Sequence, residues 1–200
     1  MSNNFQSLLE NRRTIYAIGR NIQHSTEQLT NIIENAIIHS PSSFNSQSSR
    51  AVLLFGQEHE KFWNIVFEKL KEFLRDEAAE AQTQAKIASF AAGVGTVLFF
   101  EDSDVIKTMQ EQFPLYADHF PVWAEHSTAM AQLATWTALA EHSIGASLQH
   151  YNPIIDEQVH AKWEIPSNWK LRAQLVFGSI EVPAGEKSFI DNAVRFKVFK

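Results

Sequence analysis

Arg12-Arg13-Thr14 places two guanidinium forks and a hydroxyl within three residues. That donor set suits a phosphate dianion, because each fork can offer two parallel charge-assisted hydrogen bonds. A second polar run, Ser40-Pro41-Ser42-Ser43-Phe44-Asn45-Ser46-Gln47-Ser48-Ser49-Arg50, is almost free of aliphatic residues. A third, Pro183-Ala184-Gly185-Glu186-Lys187, with Arg195 beyond it, supplies further cations from the other end of the chain. Each has an ordinary explanation when taken alone. Arginines in a last helical turn complement the helix dipole and stay solvated, and Ser/Asn/Gln runs make turns. Together they describe a site for a phosphorylated ligand.

The elements that must carry these groups follow from hydrophobic periodicity. Ser25 and Gln28 have the spacing of a capping box, and Leu29, Ile32, Ile33, Ala36 and Ile37 then share one helical face. The polar run after this helix precedes Ala51-Val52-Leu53-Leu54-Phe55 and therefore lies on a helix-to-strand loop, a common place to display binding groups. Residues 4–12 predict a short helix through Phe5, Leu8 and Leu9 that leaves the arginines at its end. Residues 57–84 carry Phe62, Trp63, Val66, Leu70, Phe73 and Leu74 at helical spacing, and 96–100 predict a strand. Residues 102–112 suit another short helix.

Two prolines and several aromatics from Phe113 to Trp123 then mark an interruption, a candidate lid or pocket wall. Residues 124–144 are apolar nearly all round, the pattern of a buried central helix about 30 Å long, with Gly145 as its stop. A helix over 156–163, a strand over 171–180 and an apolar segment over 194–199 with no partner in the sequence complete the chain. The order implies one α+β domain over 1–200, a sandwich in which helices cover a sheet built from strands distant in sequence.

Composition excludes several functions. A net charge of -6 leaves no basic face for sequence-independent nucleic-acid binding. The absence of cysteine removes thiolate nucleophiles and Cys-ligated metals, so any redox chemistry belongs to a cofactor. The N-terminus lacks the pattern of a secretory signal, and the apolar stretch over 87–100 is shorter than the roughly 20 residues of a membrane helix. A cytoplasmic protein that engages no membrane is the expectation. Gly93-Val94-Gly95 precedes a strand, whereas a dinucleotide loop must follow one. The eight histidines show no metal-ligand spacing, and no Gly-x-Ser-x-Gly elbow is present. Most of the aromatic residues should pack the core. Tyr116, Phe120 and Trp123 are different, because the flanking prolines favour partial exposure and stacking on a planar substrate, to which Phe44 could add.

At these positions the sequence resembles the FMN-dependent nitroreductases, and among them the short branch of fungal nitroreductase-like and copper-induced bacterial proteins. The resemblance runs end to end. It is carried by residues 10–17, residues 40–47, Phe113-Pro114-Leu115-Tyr116-Ala117-Asp118, Trp136-Thr137-Ala138-Leu139-Ala140-Glu141, Leu148-Gln149-His150-Tyr151-Asn152-Pro153 and Pro183-Ala184-Gly185-Glu186-Lys187. It implies helices packed around a central, mostly antiparallel sheet in an intertwined homodimer, with FMN at the subunit interface. Arg12 and Thr14 would hold the phosphate and ribityl chain with Arg13 nearby, and Asn45 and Gln47 would reach the flavin from the facing subunit. The backbone of Leu148, Gln149 and His150 would lie against the flavin edge. Lys187 would complete the phosphate site. Many members carry Lys-x-Arg near the C-terminus; here Phe189 replaces that arginine, and Arg195 is the expected substitute.

The implied chemistry is ping-pong hydride transfer, from NADH or NADPH to the flavin and then to a small planar acceptor such as a nitroaromatic or a quinone. No side-chain acid or base is called for. Two other readings stay open on the sequence. One is a flavin-binding sensor whose reductase activity is incidental; the other is a module that binds a different phosphorylated ligand.

Overall fold

The structure, a computed structural model, describes residues 5–200, so the first residue of the helix expected over 4–12 lies outside it. Five strands form an antiparallel sheet: β1 (Ile18–Gly19), β2 (Ser49–Phe55), β3 (Gly95–Asp102), β4 (Gly145–Gln149) and β5 (Trp169–Ile180). β5 is the hub. It pairs with β3 along most of its length, with β4 from Gln174 to Gly178, and with β1 through Ser179 and Ile180. β2 closes the other edge of β3 in continuous register from Ser49↔Glu101 to Phe55↔Gly95.

Side chains alternate along these strands, as a pleated backbone requires, and each face meets its own helices. Leu98, Phe100, Leu171 and Val176 pack against α3 (Gly56–Lys71), α4 (Glu77–Ala91) and α7 (Asp156–Lys162) through Phe62, Trp63, Val66, Phe90 and Val159. Val97, Phe99, Leu175 and Phe177 pack against α2 (Thr26–Ile38) and α6 (Phe120–Glu141) through Leu29, Ile33 and Leu139. The expected α+β sandwich, a mostly antiparallel sheet with helices on both sides, is the architecture observed.

Several boundaries differ from expectation for identifiable reasons. The helical stretch over 57–84 is two helices, because the Asp76 side chain accepts from the Ala79 N–H (2.8 Å) and starts α4 afresh. Pro121 does not interrupt structure. It sits in the first turn of α6, where its missing N–H has no helical partner to lose. Gly145 does not stop α6; Ser143 takes the left-handed position (φ 59°), and Gly145 opens β4. A Cβ on Gly145 would lie 2.9 Å from both Ile15 and Ile180, so the residue is small for packing. Nor is α6 buried all round, since Val122, Met130 and Leu133 are exposed on the single chain. The remaining described helices are α1 (Phe5–Asn11), α5 (Ser103–Gln112) and α8 (Asn192–Arg195). Beyond β5 the chain is exposed apart from half-buried Ala184, and Phe189, Val194, Val198 and Phe199 have no cover.

One buried polar cluster ties α3 to the sheet. Thr96 Oγ1 accepts from Trp63 Nε1 (3.0 Å), and its own proton remains for His59 Nδ1 (2.9 Å); all three residues are fully buried. Burial drives the His59 pKa down to about 4. The unfolded chain binds this proton near pH 6.5 and the folded chain only near 4. The stabilisation from neutral His59 is therefore complete above 6.5 and is lost as the pH falls through that window. In an NMR titration the His59 ring resonances should stay flat from about pH 8 to 5. A midpoint near 6.5 would contradict this.

Candidate functional site

The short segment after α1 carries the arginines. Ile15 N–H donates to Ala146 O (3.0 Å), and Thr14 bridges Ala146 in parallel fashion, so residues 12–15 run alongside the start of β4. The segment after β5 folds back over them. Arg12, Arg13, Thr14, Tyr16, Pro183, Gly185 and Lys187 line a cavity of about 480 Å³ together with their neighbours. Arg13 Nη2 donates to Gly185 O (2.8 Å), which ties the two chain ends together. The expected grouping of the arginines, the threonine and Lys187 is present. Arg195 is not part of this wall; it is exposed in α8.

Charge in this cavity is unbalanced. Among the described residues neither Arg12 nor Arg13 pairs with a carboxylate, unlike Arg20, Arg50 and Arg172. Burial and then the neighbouring Arg13 charge push the Arg12 pKa below its usual value. Among the described residues Arg12 Nε is buried with no acceptor, and the Arg12 guanidinium lies 4.4 Å above the Trp136 ring, whose own Nε1 is also buried without an acceptor there. Crowded, partly desolvated cations with orphaned donors fit a phosphate, whose negative oxygens would serve as both counter-charge and acceptor. The groups present therefore suit FMN at this end.

The polar loop forms a second cluster. Phe44, Asn45 and Gln47 all hold positive φ (55°, 52° and 50°). Such backbones cost on the order of 1 kcal/mol each in non-glycine residues and collect at ligand-binding segments. The conformation is held from several sides. Ser42 Oγ accepts from the Gln47 N–H (2.9 Å), and Arg50 donates to Gln47 O (2.6 Å) and to Asp102 Oδ2 (3.0 Å). Asn168 secures Asp102 in turn (2.8 Å). Beneath the loop, Ser49 Oγ (2.8 Å) and Thr128 Oγ1 donate to Glu101 Oε1, and burial raises the pKa of that carboxyl. Gln47 lines a separate cavity of about 180 Å³ with Ser40, Ser42, Ser49 and Arg50, rather than the one that holds Arg12.

The four predicted stacking residues do converge. The Phe44 ring lies 5.9 Å from Tyr116, 5.4 Å from Phe120 and 6.1 Å from Trp123, the last nearly parallel at 20°. Phe113 joins at 4.7 Å, and His119 stacks on Trp123 at 5.4 Å. Their exposures differ: Phe44 is 50% and Tyr116 39% exposed, whereas Phe120 is only 3%. The expected partial exposure of Phe120 is therefore corrected. It begins α6 and backs the cluster, because Pro121 initiates the helix there. Leu148 and Gln149 end β4 and His150 follows, exposed. The turn after His150 is pinned where the Tyr151 N–H donates to Gln174 Oε1 (2.7 Å), and the backbone of 148–150 continues β4 just beyond its bridge to Thr14. Trp136, the platform under Arg12, opens one of the segments that carry the family resemblance, but nothing in the sequence assigned it a site role.

The Nitroreductase family model matches residues 9–179. Nitroreductase CinD from Lactococcus lactis, solved in complex with nicotinic acid, is 53% identical and superposes with a TM-score of 0.91, covering 98% of this chain and 100% of that one. The same enzyme has been solved with 4-nitrophenol (52% identity, TM-score 0.90, 98% and 100% coverage). Nitroreductase FRM2 of Saccharomyces cerevisiae is 31% identical over 193 residues, 96% of this chain and 95% of its own.

Proposed function

Because this chain belongs to the nitroreductase family, and is thereby a nitroreductase-type oxidoreductase, we propose that it is an FMN-dependent, NAD(P)H-driven reductase of nitroaromatics, quinones or both. The observation that carries the reading is the cavity in which Arg12, Arg13 and Lys187 meet with no carboxylate in its wall among the described residues. In this account Arg12, Thr14 and Lys187 hold the phosphate and the adjoining chain of FMN. Arg13 holds the C-terminal arm in place through Gly185. FMN held by these residues would supply the two-electron chemistry that links a reduced nicotinamide to the acceptor.

The protein's contribution is to bind, orient and shield. The backbone of residues 148–150 would offer N–H groups to the polar edge of the flavin, where preorganised donors would stabilise developing negative charge. Phe44, Tyr116 and Trp123 form the aromatic wall against which a flat donor or acceptor lies, braced by Phe120. No side-chain acid or base is assigned to the transfer.

A second copy of the chain completes the site. Val122, Met130 and Leu133 on α6, with Phe189, Val194 and Phe199 on the arm, are apolar and exposed on one chain and would be covered in an intertwined homodimer. Asn45 and Gln47 then serve the cofactor of the facing subunit, which accounts for Gln47 lining a different cavity. The complexes of the Lactococcus enzyme with nicotinic acid and 4-nitrophenol support a nicotinamide donor and a nitroaromatic acceptor. No described helix is long and apolar enough to cross a membrane; a cytoplasmic location is a separate proposal.

Because one open face serves both partners, donor and acceptor must take turns. Initial rates with NADH or NADPH against menadione or 4-nitrophenol should give parallel double-reciprocal lines, with inhibition by excess acceptor competitive against the donor. Intersecting lines would contradict a shared face.

A further inference from the structure

We infer that Trp136 is a positioning residue for the cofactor phosphate, acting through Arg12; the inference rests on the FMN reading above. The Arg12 guanidinium lies 4.4 Å above the Trp136 ring. Arg12 Nε and Trp136 Nε1 are both buried without acceptors among the described residues. Most guanidiniums in this chain are fixed by carboxylates or carbonyls: Arg20 by Glu60, Arg50 by Asp102, Arg172 by Glu125 and Arg13 by Gly185. Arg50 also lies over an indole, that of Trp169 at 5.8 Å, but is held by Asp102 as well; Arg12 differs from these four in having an aromatic face and, among the described residues, no carboxylate to hold it. A carboxylate would occupy the fork and cancel its charge. A ring face orients the plane of the guanidinium by cation–π attraction and leaves the in-plane N–H donors free for an anion.

Trp136 is suited to this role by its anchoring. It is half-buried on α6, packed against the apolar layer that includes Leu139, Ile144 and Ala146. Ala146 is also the residue that Thr14 and Ile15 pair with. The platform and the segment it serves are thus referred to the same piece of β4. Side-chain entropy that Arg12 would otherwise lose on binding phosphate has already been lost on folding.

The test compares dissociation constants of the full-chain protein for FMN and for riboflavin, which has the same ring and lacks the phosphate. Trp136→Leu removes the face, and Trp136→Phe keeps an aromatic face. Trp136→Leu should weaken FMN binding by about 10-fold while riboflavin affinity changes less than about 2-fold, and Trp136→Phe should keep FMN affinity within about 3-fold. Equal losses for both flavins in Trp136→Leu would show a general structural defect and overturn the inference. An unchanged FMN affinity in Trp136→Leu would overturn it as well, as would an equal loss in Trp136→Phe. Wild-type protein that binds riboflavin and FMN equally would overturn the phosphate role while leaving the flavin reading intact. Wild-type protein that binds neither would sink both.

Discussion

Arg12→Ala should bind FMN about 100-fold or more weakly than the wild type and purify largely free of flavin. Hydrogen bonds from a charged donor to phosphate are worth roughly 1.5–3 kcal/mol each, and a fork that presents two loses about 3 kcal/mol or more, equivalent to about 100-fold in affinity. The loss should not be one of folding, because the Arg12 side chain makes no ion pair among the described residues and lies outside both hydrophobic layers. Removing the guanidinium also relieves its repulsion from Arg13, which offsets part of the cation–π stabilisation that Trp136 provides. Arg13→Ala should behave differently. Its guanidinium is already committed to Gly185 O, so its removal frees the arm and with it Lys187, weakening FMN less than Arg12→Ala does. Equilibrium flavin fluorescence with thermal melts of the flavin-free proteins separates binding from stability. An Arg12→Ala protein that retains FMN at wild-type affinity would remove the phosphate site from this cavity.

The largest effect on stability should come from a residue outside the arginine-lined cavity. Thr96→Val is nearly isosteric, yet should destabilise the protein by about 3 kcal/mol, seen as a lower urea midpoint with an unchanged slope. The hydroxyl serves two buried partners at once, accepting from Trp63 Nε1 and facing His59 Nδ1, and valine satisfies neither. Each orphaned buried group costs about 1–3 kcal/mol. Thr96→Ser keeps the oxygen and should recover most of the loss. If valine and serine were equally tolerated, the cluster would be ordinary packing rather than a polar tie between α3 and β3.

What the sequence revealed divides along physical lines. α2 was legible because its start is encoded locally: Ser25 and Gln28 form the reciprocal capping bonds that their spacing promised (2.8 and 3.2 Å). The polar segments were legible as well, since an uncompensated arginine pair and an aliphatic-free loop stand out in a 44% hydrophobic chain. β4 was not. Gly-Ala-Ser-Leu-Gln has no β-branched residue, and it is a strand because β5 on one side and Thr14 on the other supply its pairing. The left-handed residues 44, 45 and 47 were equally hidden, because the bonds that hold them come from Arg50 and Ser42 rather than from glycine. Trp136 was invisible as a site residue for the same reason: nothing local says which side chain will lie over an aromatic ring. The extended arm was anticipated in two pieces, the cation-bearing run over 183–187 and an apolar segment over 194–199 without a partner, but its path along residues 12–17 was not.

The most direct test of the central claim is the anaerobic absorbance spectrum of the purified protein, before and after stoichiometric NADH or NADPH and then menadione or a nitroaromatic. The account requires flavin bands that bleach with at least one nucleotide and return when the acceptor is added. A protein that takes up no flavin, or whose flavin bands ignore both nucleotides, would contradict it.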